Sequence, residues 1–300
     1  MLKIAYHPVY AHPLPEGHRF PMLKYELIPQ QLLHEGIISA ENLFEPDMCD
    51  EQIILLTHDK EYWHQLRDLT LPPAMERRIG LPLSARLVER SRRISKGTID
   101  GCLFAFEHGV AFNAAGGTHH AGSNWGEGFC LLNDQATAAN YLLANKLVSK
   151  ILIVDLDVHQ GNGTAQIFKH ELQVFTFSMH GANNFPFRKE RSDLDIPLPD
   201  HIADDEYLDI LYDILPKLIT QQKPDFIFYL AGVDVLKTDR LGKFDLSKDA
   251  CKARDRFVFE QCIANNIPVQ VSMGGGYSPD IKDIVEAHCN TYRVAVDLYF

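Results

Sequence analysis

Hydrophobic and polar positions alternate along the chain in a way that predicts strands and helices in succession. Short apolar runs bounded by polar or turn residues indicate six buried strands: Leu2–Tyr6, Val110–Ala115, Ile151–Val154, Val174–Ser178, Phe226–Ala231 and Val269–Met273. Longer stretches with helical periodicity separate them: Met22–Glu35, Leu83–Glu107, Asp134–Asn145, Asp204–Gln222, Lys248–Asn265 and Asp280–Asp297. This alternation predicts an α/β fold with a mostly parallel central sheet and helices on both faces.

Two stretches show no clear period and are predicted to be irregular. They are Leu71–Pro82 and Asn183–Ala203, the second rich in proline and charged residues. Long irregular segments in a compact domain often shape a site, so both are expected at the rim of one. No repeat, low-complexity tract or linker divides the chain, and residues 1–300 are predicted to form a single domain.

Composition narrows the classes of function. The net charge of −11 argues against nonspecific binding to nucleic acid or an anionic membrane and is compatible with a cationic substrate. The six cysteines form no Cys-x-x-Cys pair, which favours free thiols in a reducing compartment and no thiolate metal cage. The first residues favour a strand over a signal peptide, and no apolar run approaches the roughly 18 residues of a membrane helix. We therefore expect a cytoplasmic protein.

Four of the predicted strands run directly into residues that carry chemistry. The segments that follow them are Gly116–His120, Asp155–Thr164, Gly232–Asp234 and Gly274–Tyr277. In open parallel sheets, ligands bind outside the carboxyl ends of the strands. The four segments are therefore expected to meet along one edge of the sheet and to form one site.

A metal site is predicted within these segments. Asp155, Asp157 and His159 alternate after Ile151–Val154, so an extended backbone would place their side chains on one face. Such groups at the end of a buried strand are costly without compensation. Asp157, His159 and Asp234 would offer two carboxylates and one imidazole to a divalent metal, with positions left for water or substrate. Zn²⁺ and Fe²⁺ both fit these donors.

The groups around the metal suggest hydrolysis. His119 and His120 are candidates for a general base, although a tandem pair alone is more typical of a surface or capping role. Asp155 and Asn162 are placed to orient the two imidazoles. Tyr277 follows three glycines, and its phenol could donate to a developing oxyanion. Water attack on a carbonyl with these groups is amide or ester hydrolysis.

Together these motifs resemble the histone deacetylase superfamily, which includes acetoin-utilisation proteins and acetylpolyamine amidohydrolases. The matching strings occur in the family's order: Gly116–Ala121, Gly128–Cys130 with Asn133 and Asp134, Asp155–Thr164, Ala231–Asp234 and Gly274–Tyr277. Class IV deacetylases and their bacterial relatives look most similar. The resemblance implies an arginase-like α/β fold and a zinc-dependent lysine deacetylase.

The resemblance also implies a role for each residue of the site. The implied metal ligands are Asp157, His159 and Asp234. His120 takes the general-base position, and His119, paired with Asp155, takes the electrostatic or acid position. Tyr277 takes the position that polarises the oxyanion. Asn162 stands where many class I members carry Asp, and we expect the amide to leave His120 neutral more readily than a carboxylate would.

Further positions are implied for the substrate and a second ion. The implied tunnel residues are Gly128, Phe129, Phe185 and Gly275, with Phe187 as the alternative to Phe185; ordinary core packing is the other interpretation of these aromatic residues. The family also binds a monovalent cation, here expected to be a structural K⁺. The matching positions are the backbones of Asp155, Asp157, His159 and Met179 with the Ser178 hydroxyl. Arg19 is a candidate for an internal acetate pocket, although a surface arginine is an equally good interpretation.

Three functions compete. The favoured one is removal of an acyl group from lysine, a polyamine or a small amide, with no direct nucleic-acid partner and no membrane partner. An arginase-like ureohydrolase would need a second metal, yet Gln160, Gly161 and Asn162 follow His159 where another carboxylate ligand would be wanted. A catalytically silent module that binds acylated ligands would not need the intact set of metal ligands, His pair and Tyr277.

Overall fold

The computed structural model describes residues 1–300 and contains one sheet of eight parallel strands. The strands are β1 (Lys3–Ala5), β2 (Leu43–Phe44), β3 (Val110–Asn113), β4 (Ile151–Asp155), β5 (Val174–Gly181), β6 (Leu194–Leu198), β7 (Phe226–Leu230) and β8 (Val269–Ser272). Their order across the sheet is β2-β1-β3-β8-β7-β4-β5-β6, and every neighbouring pair is parallel. The predicted parallel α/β fold is confirmed.

Ten α-helices surround the sheet. They are α1 (Lys24–His34), α2 (Glu51–Ile54), α3 (Lys60–Arg67), α4 (Pro73–Ile79), α5 (Ala85–His108), α6 (Asp134–Ala144), α7 (Asn162–Ile167), α8 (Asp204–Gln222), α9 (Lys248–Ala264) and α10 (Ile281–Tyr299). Neighbouring residues of β3 show that helices cover both faces. Asn113 Nδ2 donates to the Ile94 carbonyl of α5 at 2.8 Å. Phe112 points the other way and stacks on Tyr292 of α10, with ring centroids 4.3 Å apart.

Polar residues at helix starts explain where the long helices begin. Ser84, Asn133 and Ser247 precede α5, α6 and α9, and each side chain accepts a hydrogen bond from the backbone N–H three residues further on. Gly109 follows α5 with a φ of +82°, a conformation that residues with a Cβ rarely adopt. The six predicted helices are present as α1, α5, α6, α8, α9 and α10, each within a few residues of its predicted limits.

The irregular stretches contain short elements that the pattern did not reveal. Strand β6 lies inside Asn183–Ala203, and helix α4 lies inside Leu71–Pro82. Strand β6 is an edge strand that includes Pro197, and a sheet edge tolerates the missing N–H. Helix α4 buries only Ile79, so it shows little apolar periodicity. The two-residue strand β2 and the four-residue helix α2 are too short to show a period. Helix α3 does have an apolar face, formed by Tyr62, Trp63 and Leu66, and the prediction missed it.

The backbone after β4 is bent, so the condition under which Asp155, Asp157 and His159 would leave one face of an extended strand is not met. Strand β4 ends at Asp155, whose Oδ1 accepts the Asp157 N–H at 3.2 Å. Asp157 Oδ1 in turn accepts the His159 N–H at 3.0 Å. These side-chain-to-backbone bonds turn the chain instead of extending it. The predicted turn into a helix is present, and α7 begins at Asn162.

The centre of the sheet positions the predicted site. Strands β3, β8, β7 and β4 are consecutive neighbours, so the four segments that follow them lie side by side at the carboxyl edge. All six cysteines are free and buried, as expected. None of the helices combines the length and the apolar character that crossing a membrane requires.

Candidate active site

Asp157, His159 and Asp234 come together beyond the ends of β4 and β7. His159 Nδ1 lies 3.1 Å from Asp157 Oδ1 and 3.0 Å from Asp234 Oδ2. The potential ligand atoms of the three residues all lie within 4.8 Å of one another, and all three residues are buried. Two carboxylates and an imidazole at this spacing fit a divalent metal ion.

The electrostatics of this cluster also favour a cation. Burial raises the pKa of Asp234 to about 7, and the charge of Asp157 adds to the effect. Burial lowers the pKa of His159, but hydrogen bonds to both carboxylates outweigh it and raise the pKa to about 10. Two buried acids share one imidazole, so the cluster carries more negative charge than its own residues offset. A divalent cation would balance it.

Two glycines allow the backbone to approach this cluster. A Cβ added to Gly275 would lie 1.9 Å from Asp234 Oδ2, so no larger residue fits there. The Gly275 N–H donates to Asp157 Oδ2 at 2.8 Å. Gly117 has a φ of +75°, and a Cβ there would lie 2.7 Å from the Gly274 nitrogen. The glycine-rich ends of β3 and β8 are thus explained by close backbone contact.

His119 and His120 lie side by side, with ring centroids 4.1 Å apart. His119 Nδ1 is 2.7 Å from Asp155 Oδ2, and His120 Nδ1 is 2.7 Å from Asn162 Oδ1. Burial lowers the pKa of His119, but the charges of Asp155 and Asp157 outweigh it and raise the pKa. Burial and the neighbouring imidazoles lower the pKa of His120 well below its usual range. One imidazole therefore favours the protonated form and the other the neutral form.

The turn that carries this pair is held by the start of α6. The Thr118 N–H and hydroxyl both donate to Asp134 Oδ1, at 2.8 and 2.7 Å. Asn133 Nδ2 donates to the Ala121 carbonyl at 3.1 Å. The residues on either side of the His pair are thus tied to one buried polar network, which fixes where the two imidazoles point.

Asn162 is held from behind by a residue that sequence reasoning missed. Asn162 Nδ2 donates to Glu127 Oε1 at 2.5 Å, and Arg78 donates to Glu127 Oε2 at 2.7 Å. Because the amide nitrogen faces Glu127, its oxygen faces His120. That oxygen accepts a hydrogen bond from the Nδ1–H, which leaves Nε2 as the basic nitrogen. The only signal for Glu127 was its place directly before Gly128.

Tyr277 lies next to His159, with ring centroids 6.3 Å apart. Its backbone N–H donates to Asp239 Oδ2 at 2.5 Å, so the loop that presents the ring is fixed by a side chain from the segment after β7. Burial raises the pKa of Tyr277 well above its usual range, and the charges of Asp234 and Asp157 add to this. The phenol therefore stays protonated and can act as a hydrogen-bond donor.

A cavity of about 520 Å³ leads from the surface to His120 and His159. Phe129 and Phe185 line it together with Gly128, and the Phe185 ring meets the His120 ring edge-on at 5.0 Å. Phe187 is 92% exposed and lies at the mouth. Gly275 lines a smaller inner cavity that Phe129 and Tyr277 share. The structure thus places Phe185 beside the imidazoles and Phe187 outside them.

The assignment of Arg19 to an internal acetate pocket is wrong. Arg19 is exposed, lines the outer cavity and lies over the Phe129 ring at 5.1 Å, where cation–π attraction accounts for its position. The inner cavity is lined instead by the buried Arg90, whose Nε donates to the Tyr10 carbonyl at 2.8 Å. Nothing in the sequence singled out Arg90, because charged residues are common on long helices such as α5.

A buried lysine was also missed. Lys24 is fully buried, and its Nζ donates to the Gly274 carbonyl at 3.0 Å. The same Nζ lies 5.7 Å from the centroid of the Tyr277 ring. Lys24 thus stabilises the glycine-rich turn that precedes Tyr277 through this hydrogen bond. As the first residue of the amphipathic helix α1, it gave no sign of this role.

The monovalent-cation site stays a prediction. Asp155 and Ser178 are register partners on β4 and β5, so the two strands bring these positions together. Ser178 Oγ lies 2.9 Å from His180 Nδ1. Met179 and Ser178 are both buried, which is compatible with an internal ion.

The parallel sheet, the buried Asp-His-Asp cluster and the His pair at its carboxyl edge fit a deacetylase-type hydrolase. Residues 18–292 match the family model of the histone deacetylase domain. The chain belongs to the histone deacetylase family.

Known relatives agree with this assignment. The chain is 47% identical to an uncharacterised protein of Picosynechococcus, over 99% of each chain. It is 28% identical to histone deacetylase 2 of Arabidopsis thaliana, over 87% of this chain and 70% of that one. The crystal structure of an HDAC homolog complexed with SAHA matches with a TM-score of 0.82 at 26% identity, covering 97% of this chain and 82% of the other. An HDAC homolog from Aquifex aeolicus matches with a TM-score of 0.81 at 25% identity, with the same coverage.

Proposed function

We propose that this protein is a zinc-dependent amide hydrolase that removes acetyl or longer acyl groups from lysine or a related amine. The observation that carries the proposal is the meeting of a candidate metal cluster, two imidazoles and a phenol at the inner cavity. Asp157, His159, His119, His120 and Tyr277 line that cavity, and Asp234 completes the cluster beside Asp157 and His159.

The buried cluster is the proposed metal site. Asp157, His159 and Asp234 would hold the ion, which would supply Lewis-acid polarisation of the acyl carbonyl and of a water. Zn²⁺ is the proposed ion, and Fe²⁺ suits the same donors. Two carboxylate ligands offset the charge of the ion, so such a site benefits from a separate general base.

The chain supplies that base and two further groups. His120, neutral and with its Nδ1 proton directed at Asn162, accepts the proton of the attacking water at Nε2. His119 is stabilised as an imidazolium by Asp155 and serves as the electrostatic or acid partner that protonates the departing amine. Tyr277 donates its hydroxyl hydrogen to the developing oxyanion.

The substrate is proposed to enter along the aromatic part of the cavity. Phe129 and Phe185 would flank the thin aliphatic stem of an acyl-lysine, and the amide would lie at the cluster. The HDAC homolog complexed with SAHA supports binding of an acyl-amide-like ligand in this fold.

The alternatives receive less support. A two-metal ureohydrolase would need further ligands around the cluster. Gln160, the nearest candidate along the chain, instead directs its Nε2 at the Glu190 carbonyl and Asp195, both at 2.8 Å. A silent binding module would have no need for a neutral His120 beside a protonated Tyr277.

The test is turnover of a fluorogenic acetyl-lysine amide by the metal-loaded protein. Tyr277→Phe is expected to lower kcat roughly 10² to 10³-fold, because a single oxyanion donor contributes about that much. Tyr212→Phe is the matched control, since Tyr212 is 39% exposed on α8 and is expected to leave kcat unchanged. No turnover by the wild-type protein, or an unaffected Tyr277→Phe variant, would contradict the proposal.

A further inference from the structure

The mouth of the outer cavity is cationic, although the chain as a whole carries a net charge of −11. Of the 14 residues that line the cavity, four are cationic and none is anionic. The four cations are Arg19, Arg78, Arg240 and Lys243. They come from three separate parts of the chain, so the fold, and no local run of charge, brings them together.

Two of these cations are already paired with a carboxylate. Arg78 lies 2.7 Å from Glu127, and Lys243 lies 3.5 Å from Asp200. Arg19 and Arg240 are exposed at the mouth without a carboxylate partner. Arg19 lies over the Phe129 ring, which holds its guanidinium close to the path that a substrate would take.

Asp239, whose carboxylate accepts the Tyr277 N–H, is hydrogen-bonded to the backbone and does not pair with these cations. Asp239 Oδ1 accepts the N–H groups of Leu241 and Gly242, each at 2.8 Å, and Oδ2 accepts the N–H of Tyr277. A carboxylate bound by three backbone donors is committed to the loop. Its charge faces the backbone behind the site and not the open mouth.

Aromatic side chains also line the mouth. Phe187 is 92% exposed and meets the Phe185 ring edge-on at 6.5 Å. Lys189 Nζ donates to the carbonyls of Asn184 and Pro186, both at 2.6 Å. A charged side chain therefore holds this loop in place and keeps the exposed ring at the mouth.

We propose that the mouth selects acyl amines that carry negative charge on the amine side, above all acyl-lysine flanked by acidic residues. The inference rests on the proposed function, since it takes the acyl amide to lie at the metal cluster. Whatever follows the amine then passes Arg19 and Arg240. A carboxylate there gains two unpaired guanidinium partners, whereas a protonated polyamine meets like charge.

The charges at the mouth affect substrate selection more than the net charge of the chain does. Interactions between exposed charges fade beyond about 8 Å at physiological salt. The acids that make the chain anionic overall therefore act weakly on a group at the mouth, while the two unpaired arginines act directly. The compatibility with a cationic substrate that the net charge suggested does not extend to this site.

The test uses the metal-loaded enzyme and three peptides of equal length. Each carries a central acetyl-lysine, flanked by Asp and Glu, by Asn and Gln, or by Lys and Arg, and N-acetylspermidine is the fourth substrate. We expect kcat/KM for the acidic peptide to exceed that for the basic peptide roughly tenfold at low salt, and the ratio to approach one as salt is raised. The Kd of each labelled peptide is measured in parallel.

Charge-reversal variants locate the effect. Arg240→Glu and Arg19→Glu are expected to lower the acidic-to-basic ratio at least several-fold, with Arg240→Gln in between. Lys146→Glu is the matched control with the same change in net charge. Lys146 is exposed and lies beside Gly109 and Pro268, which precede β3 and β8 at the opposite edge of the sheet. It is expected to leave the ratio unchanged.

The outcomes separate this inference from the proposed function. Equal rates and affinities for all peptides, or a preference for the basic peptide or N-acetylspermidine, would overturn the charge selection while leaving the hydrolase proposal intact. A Kd order that favours the acidic peptide without any turnover would overturn the hydrolase proposal and support the charge selection. An equal effect of Lys146→Glu and Arg240→Glu would overturn the role of the mouth.

Discussion

His119 and His120 are neighbours in the chain and in space, yet the structure surrounds them with different partners. Each Nδ1 lies 2.7 Å from an oxygen, which belongs to a carboxylate for His119 and to an amide for His120. The pKa of His119 is raised, since the charges of Asp155 and Asp157 outweigh the effect of burial, whereas burial and the adjacent imidazoles lower the pKa of His120. Identical side chains thus acquire acid and base character from their environment.

The groups behind the two imidazoles also differ. Asp155 stands at the end of β4, and its second oxygen accepts the Asp157 N–H at 3.2 Å, so it belongs to the metal segment. Asn162 is backed by Glu127, which Arg78 binds at the mouth. His119 is therefore linked through Asp155 to the metal cluster, and His120 is linked through Asn162 and Glu127 to Arg78 at the mouth.

The largest expected effect comes from removing the proposed base. His120→Ala should lower kcat roughly 10³-fold, whereas His119→Ala should lower it about tenfold to a hundredfold, because general-base catalysis commonly contributes 10² to 10⁴. Steady-state kinetics with the acetyl-lysine substrate checks this. Metal content serves as the control, since neither residue is a proposed ligand. A larger loss for His119→Ala would reverse the assignment of the pair.

Asp155→Asn is expected to have the next largest effect. The substitution keeps the shape of the partner but removes the charge that stabilises the His119 imidazolium. Loss of an orienting partner of this kind typically costs 10 to 100-fold in activity, and we expect a decrease in kcat of about that size with little change in KM. A change confined to KM would show that Asp155 acts on binding instead.

Asn162→Asp tests the other partner. A carboxylate beside His120 favours the imidazolium and raises its pKa, so the acid limb of the pH–rate profile should move to higher pH. In the native protein, Asn162 Nδ2 lies 2.5 Å from Glu127 Oε1. The substitution replaces this nitrogen with a carboxylate oxygen, so two carboxylates face each other in the single variant. We expect activity to fall roughly tenfold for this reason.

Glu127→Gln provides the matched rescue. In the double variant, the amide introduced at position 127 can donate to the carboxylate introduced at position 162, so activity above the acid limb should recover while the limb stays shifted. If Asn162→Asp left both limbs unmoved, the idea that the amide keeps His120 neutral would have to be abandoned.

The smallest expected effect on turnover concerns a structural histidine, which acts on stability instead. His58 Nδ1 contacts the Gly122 carbonyl, and its Nε2 accepts the Asn133 N–H, both at 3.0 Å. Burial lowers its pKa to about 4. The folded state therefore binds this proton less readily than the unfolded state. Stability should fall as pH drops from about 6.5 towards 4, by roughly 3 kcal/mol in total.

The matched variant for this prediction is His58→Gln, which removes the titrating group. Denaturant unfolding of both proteins across this pH range gives the difference in free energy of unfolding. The gap between wild type and variant should narrow as pH falls. A gap that stays constant would show that His58 is not held neutral in the fold.

Much of the fold could be predicted because its long elements have strong periodicity. Strand β7 and the first four residues of β4 form unbroken apolar runs, as strands buried on both faces require. The exposed elements escaped notice, since α4 buries only Ile79 and β6 lies at the edge of the sheet. The bend after Asp155 depends on side-chain-to-backbone bonds, which alternation in the sequence does not reveal.

The site could be predicted where its residues sit in motifs at strand ends. Asp157, His159, Asp234 and the His pair were found in this way, and the structure brings them together. Glu127 was missed because its contact with Asn162 joins positions far apart in sequence. The cationic mouth could not be predicted for the same reason, since Arg19 and Arg240 line one cavity only in the folded chain.

The central claim is that one metal ion, held by Asp157, His159 and Asp234, makes this site a deacylase. The most direct measurement titrates metal-free protein with Zn²⁺ and follows both bound metal and turnover of the acetyl-lysine substrate. Activity should rise in proportion to bound metal, reach its plateau at one equivalent per chain, and be lost with Asp234→Asn. Full activity in the metal-free protein, or a plateau at two equivalents, would contradict the claim.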